Sequence, residues 1–220
     1  MPVVDAELTR RLTEIVGAGG LIERNNVVIP RDTDMVAAIA EVCDDTRTPI
    51  AVSSGASGTD GAAPERGIVI SLNRLAKVSV AAGGLTLRAE AGATVAAVTA
   101  AAAEHHLAVV GLPARTDALH VGTLIARGEI PRRSLSGIDA VLATGERVSA
   151  GGSVLKDVVG YDLGAALLGS MGTLAIIVAA TFRLEPARAR TPVAEAPGAV
   201  AHNELIARAF DPQGLLSRRV

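Results

Sequence analysis

The sequence has 220 residues, a formal net charge of −2 and 49% hydrophobic residues, so it can bury a sizeable core. Charges of both signs are interspersed, which argues against a nucleic-acid or anionic-membrane partner. Cys43 is the one cysteine, so the chain cannot form an intramolecular disulfide. The sequence also has no cluster of ligands at the usual spacing, and we predict no metal site. The longest apolar run, 174–180, is too short to span a bilayer, and we expect a cytoplasmic protein without a targeting segment.

The first third of the chain predicts alternating helices and strands. Apolar residues at helical spacing predict a helix over 5–17, and glycines follow it as a stop. A second helix is predicted over 32–46, with Asp32 or Thr33 as its cap and Cys43 on its buried side. Short β-branched runs predict strands over 27–30, 49–54 and 67–72.

The rest of the chain predicts antiparallel pairs. Alternating residues on both sides of Gly83-Gly84 and of Thr144-Gly145 predict two β-hairpins. The stretch 115–137 has no strong period and predicts no regular element. Further predicted elements are a helix over 94–107 capped by Thr94, a short helix within 156–170, strands over 173–186, a linker over 187–197 and a helix over 201–211. This mixture predicts an α+β fold.

Two glycine-rich segments are the candidates for binding. SSGASGTDG, residues 53–61, leaves backbone N–H groups uncovered after a strand, as in nests that hold phosphate oxygens. An ordinary surface loop is the alternative, and the segment matches neither the Rossmann nor the P-loop pattern. The second segment, 169–173, precedes an aliphatic strand. We interpret His105 and His106 as exposed residues and Arg132-Arg133 as a surface pair.

Five stretches, taken together, carry a resemblance to a known family. From about residue 26 to residue 186 the sequence resembles the FAD-linked oxidases with a p-cresol methylhydroxylase-type (PCMH-type) flavin domain. Among these it resembles most the FAD-binding subunits of glycolate oxidase and related D-2-hydroxyacid dehydrogenases. The stretches are VVIPRDTDMVAAI, GAAPERGIVISLNRL, LRAEAGATVAAV, VLATGERVSAGG and VLKDVVGYDLGAALLGSMGTLAII, of which the last is the most specific.

The resemblance implies a flavin domain over 1–186, with one small lobe over about 1–75 and another over about 76–186. Residues 187–220 are then a linker and a C-terminal helix and tail. FAD is expected to lie extended between the lobes, whose sheets are mixed and antiparallel. The residues implied to bind it are Ser53, Ser54, Gly55, Ala56, Ser57, Gly58, Thr59, Gly122, Thr123, Gly169, Gly172, Thr173, Ile176 and Ile177. Tyr161 and Asp162 are expected to fix the fold.

The sequence departs from the family pattern at positions that are implied to bind the cofactor or to complete the substrate site. Serines stand in the first loop where relatives have mostly glycines, and added side chains narrow the approach to a phosphate. Asp60 adds a negative charge there. That loop has no histidine, so FAD is expected to be held non-covalently. Only about thirty residues follow Pro186, where the family normally has a cap domain that completes the substrate site.

The resulting hypothesis is an FAD-binding subunit of a glycolate oxidase-like D-2-hydroxyacid oxidoreductase, with no catalytic residue assigned on this chain. A partner, either a second flavin or iron–sulfur oxidoreductase subunit or another copy of the chain, is expected to complete the substrate site. The alternative is a non-catalytic interaction subunit derived from an FAD-linked oxidase. The eroded first loop and the shortened middle segment favour that alternative.

Overall fold

The computed structural model describes residues 6–22, 26–55, 64, 66–112, 119–151, 162–187 and 204–216. Its helices are α1 (Ala6–Val16), α2 (Thr33–Thr46), α3 (Val95–Ala103), α4 (Val121–Ala126), α5 (Leu163–Leu167) and α6 (Glu204–Phe210). Its strands are β1 (Leu21–Ile22), β2 (Val27–Val28), β3 (Ile50–Ser53), β4 (Ile68–Ser71), β5 (Val78–Val80), β6 (Thr86–Glu90), β7 (Leu107–Val109), β8 (Leu135–Val141), β9 (Arg147–Gly151) and β10 (Ile176–Pro186).

The strands form two sheets that divide between β4 and β5. The first has the order β1-β2-β4-β3, in which β2, β4 and β3 run parallel and β1 is antiparallel to β2. The second has the order β5-β6-β10-β8-β9 and is antiparallel, with β7 paired to the end of β10. The predicted α+β class with mixed and antiparallel sheets is confirmed.

Local signals in the sequence determine several elements as predicted. Asp32 caps α2, its carboxylate accepting a hydrogen bond from Met35 N at 2.8 Å. Thr94 caps α3 in the same way. Both predicted hairpins form, with Gly84 and Gly145 in the left-handed conformation at their turns. Cys43 is buried in α2 as expected, and burial raises the pKa of its thiol to about 12, which keeps it protonated.

Three short elements were not predicted. Helix α4 lies in the stretch without a period, β1 is only two residues long, and β7 occupies the end of the predicted helix 94–107, since α3 ends at Ala103. Strand β7 exists because it pairs with β10, with Val109 opposite Leu184. Tertiary pairing therefore overrides the helical tendency of the residues after Ala103.

Two large hydrophobic cores hold the sheets together, and a small third cluster consists of Val27, Ile29, Ala51 and Val69. The first core joins α1, α2 and the first sheet to the second sheet through Val141, Ala143, Ile176 and Val178. The second core lies between the second sheet and helices α3, α4 and α5. Strand β10 contributes side chains to both of these cores, so it separates one from the other. None of the helices in the described ranges has the length and hydrophobicity that a membrane span requires.

Candidate cofactor site

The first glycine-rich loop leaves the carboxyl edge of the first sheet. Strands β2, β4 and β3 are parallel, so their carboxyl ends lie at one edge, where Ser53 is in register with Ser71. Ser54, the next residue, is buried. Nearby in sequence, Asn73 follows β4, and its Oδ1 is buried without a hydrogen-bond partner. Open α/β sheets bind ligands outside the carboxyl ends of their strands. Ala56, Ser57, Gly58 and Thr59 lie outside the described residues.

Helix α4, which packs against the second sheet, contacts this loop. Gly122, in its first turn, donates its amide to Ala91 O at 2.8 Å. A methyl group built on Gly122 would place its carbon 2.1 Å from Ser54 Oγ and 3.1 Å from the Ala91 Cβ. Only a glycine therefore fits at position 122 while Ser54 keeps this position. Two of the predicted site residues, far apart in sequence, meet here, with the half-buried Thr123 beside them.

The second glycine segment lies at the opposite end of the same helix. Gly169 N donates to Ile125 O at 2.9 Å, and Met171 N donates to Ala126 O at 2.8 Å. Helix α4 has six residues, which corresponds to a length of about 9 Å at 1.5 Å per residue. Ser54 and Gly169 thus contact the two ends of one short helix. The two glycine segments that the sequence singled out lie on the same structural feature.

The backbone of the second segment is unusual and leaves room beside it. Gly169, Met171 and Gly172 all have positive φ angles, of 77°, 55° and 72°. For a non-glycine residue such as Met171 this is a strained conformation, and such strain clusters at functional sites. A methyl group built on Gly172 would have no atom within 4 Å. A ligand can therefore approach the backbone at Gly172 closely.

Ser170 is a candidate site residue that the sequence analysis did not assign. Its side chain is buried, and its Oγ has no hydrogen-bond partner. The neighbouring Thr173 donates its hydroxyl to Ser170 O at 2.7 Å, which fixes the turn. A buried hydroxyl without a partner is costly unless a ligand or water satisfies it. In the sequence, the position of Ser170 between Gly169 and Gly172 is the feature that could have identified it as a site residue. A buried hydroxyl without a partner, two residues before the open position at Gly172, makes Ser170 a candidate for contact with a polar cofactor.

Ile176 and Ile177 lie deep in the protein. Both are buried in β10, Ile176 in the first core and Ile177 in the second. Successive residues of a strand point to opposite faces, so at most one of them can line a given slot with its side chain. Their direct contact with a cofactor stays a prediction, and their observed role is to pack β10 between the two cores.

Arg132 and Asp162 form a pair that fixes the loop before β8 against α5. The Arg132 guanidinium donates to both Asp162 carboxylate oxygens, with Nε 2.9 Å from each. Arg132 Nη1 also donates to Leu135 O at 2.8 Å, and Asp162 accepts from Ala165 N as the cap of α5. Arg132, which was interpreted as a surface residue, is partly exposed, and its guanidinium is bound to Asp162. Arg133 is exposed.

The Asp162 pair predicts a pH-dependent contribution to stability. The hydrogen bonds from Arg132 lower the pKa of Asp162 below its usual 3.8. A carboxyl with a lowered pKa in the folded state stabilises above its unfolded pKa, and this stabilisation is lost as the pH falls through the folded pKa. Because the side chain is 52% exposed, Asp162→Asn is expected to cost at most about 1 kcal/mol at pH 7.

Urea unfolding at pH 7 and at pH 4 and below measures this effect. The difference in free energy of unfolding between the native chain and Asp162→Asn should shrink below about pH 4. Glu146→Gln, which removes an exposed carboxylate, is the control for a change in surface charge. A difference that stays constant down to pH 3 would contradict the assigned role of the pair.

Comparison with known proteins identifies the family. Residues 25–157 match a family model described as an FAD binding domain. The chain is 33% identical over 171 residues to the D-lactate dehydrogenase of Archaeoglobus fulgidus, covering 73% of this chain and 38% of that protein. It is 28% identical over 172 residues to the glycolate oxidase subunit GlcD of Bacillus subtilis, covering 73% of this chain and 37% of that protein. The chain thus spans well under half the length of these relatives.

Solved structures confirm the fold. The structure of p-cresol methylhydroxylase with substrate bound superposes with a TM-score of 0.62 at 17% identity, covering 82% of this chain and 43% of that one. A structure of alkyldihydroxyacetonephosphate synthase gives a TM-score of 0.67 at 15% identity, covering 84% of this chain and 42% of that one. At these identities the likeness shows the PCMH-type fold alone, which the sequence predicted.

Proposed function

This chain belongs to the family of FAD binding domains, and on that premise we propose that it is the FAD-binding subunit of a glycolate oxidase-like D-2-hydroxyacid oxidoreductase. FAD is its cofactor, and we propose that it is held non-covalently beside α4. The observation that carries the proposal is that both glycine segments contact this one helix, with open space at Gly172 and an unsatisfied hydroxyl at Ser170.

Different residues of the chain have different roles in this proposal. Ser54 and Gly55 begin the first loop at the carboxyl edge of the first sheet, where backbone N–H groups and hydroxyls can hold phosphate oxygens. Gly172 lets backbone approach the cofactor, and Ser170 offers a hydroxyl. These groups orient the cofactor and replace its water contacts. When bound, the flavin supplies the acceptor for the hydride that leaves the substrate.

Substrate binding is assigned to a partner. Arg132 is committed to Asp162, so its guanidinium is not available as a clamp for a substrate carboxylate. His105 and His106 are exposed in the turn after α3, where solvent surrounds their side chains. We propose that a second flavin or iron–sulfur subunit, or another copy of the chain, supplies the base and the carboxylate clamp. The resemblance of the chain to GlcD, a subunit by name, supports this arrangement.

Replacing Ser170 by alanine is expected to weaken FAD binding about three- to tenfold. The loss corresponds to one hydrogen bond of roughly 0.5–1.5 kcal/mol. The variant should not be less stable without FAD, because the hydroxyl has no partner in the protein. Quenching of flavin fluorescence gives the dissociation constant, and Ser79→Ala, an exposed serine of β5, is the control. Unchanged affinity in Ser170→Ala would remove Ser170 from the site.

The reaction is tested by anaerobic reduction of the bound flavin. The isolated chain loaded with FAD is mixed with glycolate or D-lactate while absorbance near 450 nm is followed. We expect the absorbance to persist with the isolated chain, and to decay when the co-purified partner is added. Decay with the isolated chain alone would show that it carries a complete substrate site.

A third outcome selects the alternative function. If the chain takes up no FAD but co-purifies with a larger oxidoreductase, it is a non-catalytic interaction subunit. The first loop favours this alternative, because the family resemblance implies mostly glycines there and this chain has serines, Ser54 among them.

A further inference from the structure

Residues 204–216, which we name the clasp, contact both hydrophobic cores. At its start, Ala207 and Phe210 of α6 pack against the second core. At its end, Leu216 is buried in the first core. One short segment is therefore attached to both halves of the molecule.

The end of the clasp is bound to the first lobe by directional contacts. Ile50 N donates to Leu215 O at 2.7 Å, and Leu216 forms a parallel bridge with Ile50. Gln213 Nε2 donates to Asp44 O at 3.2 Å and to Asp44 Oδ1 at 2.6 Å, at the end of α2. Strand β3 is the last strand in the order of its sheet, and the clasp pairs with it at Ile50.

Asp211 organises this end of the clasp. Its carboxylate is buried, with only 6% of the residue exposed. The two oxygens accept hydrogen bonds from Leu215 N at 2.9 Å and from Leu216 N at 2.8 Å. Gly214, with a φ of 68°, allows the chain to turn back on Asp211. Without the carboxylate, two buried amides lose their acceptor, and the segment loses the turn that presents Leu215 O to Ile50.

The clasp and the candidate site lie at opposite ends of the same strand. The clasp is bonded to Ile50, the first residue of β3, whereas Ser53 ends β3 and Ser54 contacts Gly122. Three residues of extended strand correspond to about 10 Å. A hydrogen-bonded strand is rigid over that length. The position of its amino end therefore constrains how Ser54 meets α4 of the other lobe.

We propose that Asp211 is a positioning residue of the cofactor site. Through the clasp it holds the first lobe against the second, and so sets the separation between Ser54 and the segment at the far end of α4. This proposal rests on the proposed binding of FAD between the lobes. If the lobes are correctly spaced in only a fraction of the molecules, the apparent Kd for FAD equals the intrinsic Kd divided by that fraction. Cofactor affinity should thus depend on contacts at the opposite edge of the sheet.

The test compares FAD affinity with stability in matched variants. Asp211→Ala and Leu216→Ala disrupt the clasp, whereas Asp211→Asn keeps one carbonyl acceptor. Arg208→Ala removes an exposed charge from α6 and is the control for surface charge.

A second control removes a buried group outside the clasp. It is either Leu12→Ala or Ile39→Val, whichever lowers Tm by the same amount as the clasp variants do. Flavin fluorescence gives Kd, and hydrogen exchange without FAD is followed in peptides that contain Ser54 and Gly122.

We expect Kd for FAD to rise about tenfold in Asp211→Ala and Leu216→Ala, and less in Asp211→Asn. Arg208→Ala and the matched core variant should stay within about twofold of the native Kd, and only the clasp variants should show faster exchange at both peptides. Equal rises in Kd for clasp and core variants would overturn the proposal, since stability alone would explain them. If the native chain binds no FAD, the proposed function fails, and the exchange contrast alone decides the role of the clasp.

Discussion

Replacing Gly122 by alanine is expected to weaken FAD binding by about 5- to 150-fold, the equivalent of the roughly 1–3 kcal/mol that overpacking costs. The added carbon would lie 2.1 Å from Ser54 Oγ, so either the Ser54 side chain rotates or the first loop moves away from α4. Both movements disturb the junction of the two lobes. Flavin fluorescence titration measures the loss, and Gly83→Ala, at an open turn position with no atom within 4 Å, is the matched control.

The same contact predicts a rescue. The Ser54→Gly exchange removes both the Oγ at 2.1 Å and the Cβ at 3.1 Å from the position of the new methyl group. We therefore expect the double variant Ser54→Gly/Gly122→Ala to bind FAD more tightly than Gly122→Ala alone. Additive losses of binding free energy in the double variant would show that the two residues do not meet.

Replacing Gly92 by alanine is expected to destabilise the fold by about 3 kcal/mol or more, or to prevent folding. The new carbon would lie 2.1 Å from Leu72 O and 2.9 Å from Leu75 O. These are backbone atoms, which cannot rotate away as the Ser54 side chain can. The affected turn also seats α4, since Ala91 O and Ala93 O accept the amides of Gly122 and Val121.

Urea denaturation of Gly92→Ala measures this loss, again with Gly83→Ala as the control, which should stay within about 0.5 kcal/mol of the native chain. A Gly92→Ala chain that unfolds within 1 kcal/mol of the native one would contradict the close approach of the turn to the segment after β4. It would also weaken the account of how α4 is held in place.

The elements that the sequence predicted have their causes within a few residues. Helix α2 begins at a residue whose own side chain caps it, Asp32, and its apolar residues recur at helical spacing. The hairpin turns at Gly84 and Gly145 require left-handed backbone that glycine adopts without strain. Such local causes can be recognised in the sequence without knowing the tertiary contacts of the element.

Helix α4 could not be predicted in this way, because its stabilising partners are distant. Glycine and threonine in its first turn are poor helix formers, and six residues are too few for a periodic pattern. Its first amides are bonded to the turn at Ala91–Ala93, and its last carbonyls accept from Gly169 and Met171. The helix forms because two segments distant from it in sequence, 91–93 and 169–171, satisfy its two ends.

The sequence predicted which two segments form the candidate site, but not the contact between Ser54 and Gly122. Glycine-rich composition and the family resemblance identified both the Ser54 loop and the Gly169–Thr173 segment. The contact between Ser54 and Gly122 and the burial of the Ser170 hydroxyl both depend on tertiary packing, which the sequence pattern does not display. The packing of Ile176 and Ile177 into the two cores also depends on tertiary structure, and their contact with a cofactor stays a prediction.

A titration of the purified chain with FAD, followed by removal of free flavin and a visible absorbance spectrum, tests the central claim most directly. We predict one FAD per chain, with the absorption bands of bound flavin. Acid precipitation should release the flavin into solution, as expected for non-covalent binding. A folded chain that retains no flavin after incubation with excess FAD would contradict the proposal that the two segments on α4 form a flavin slot.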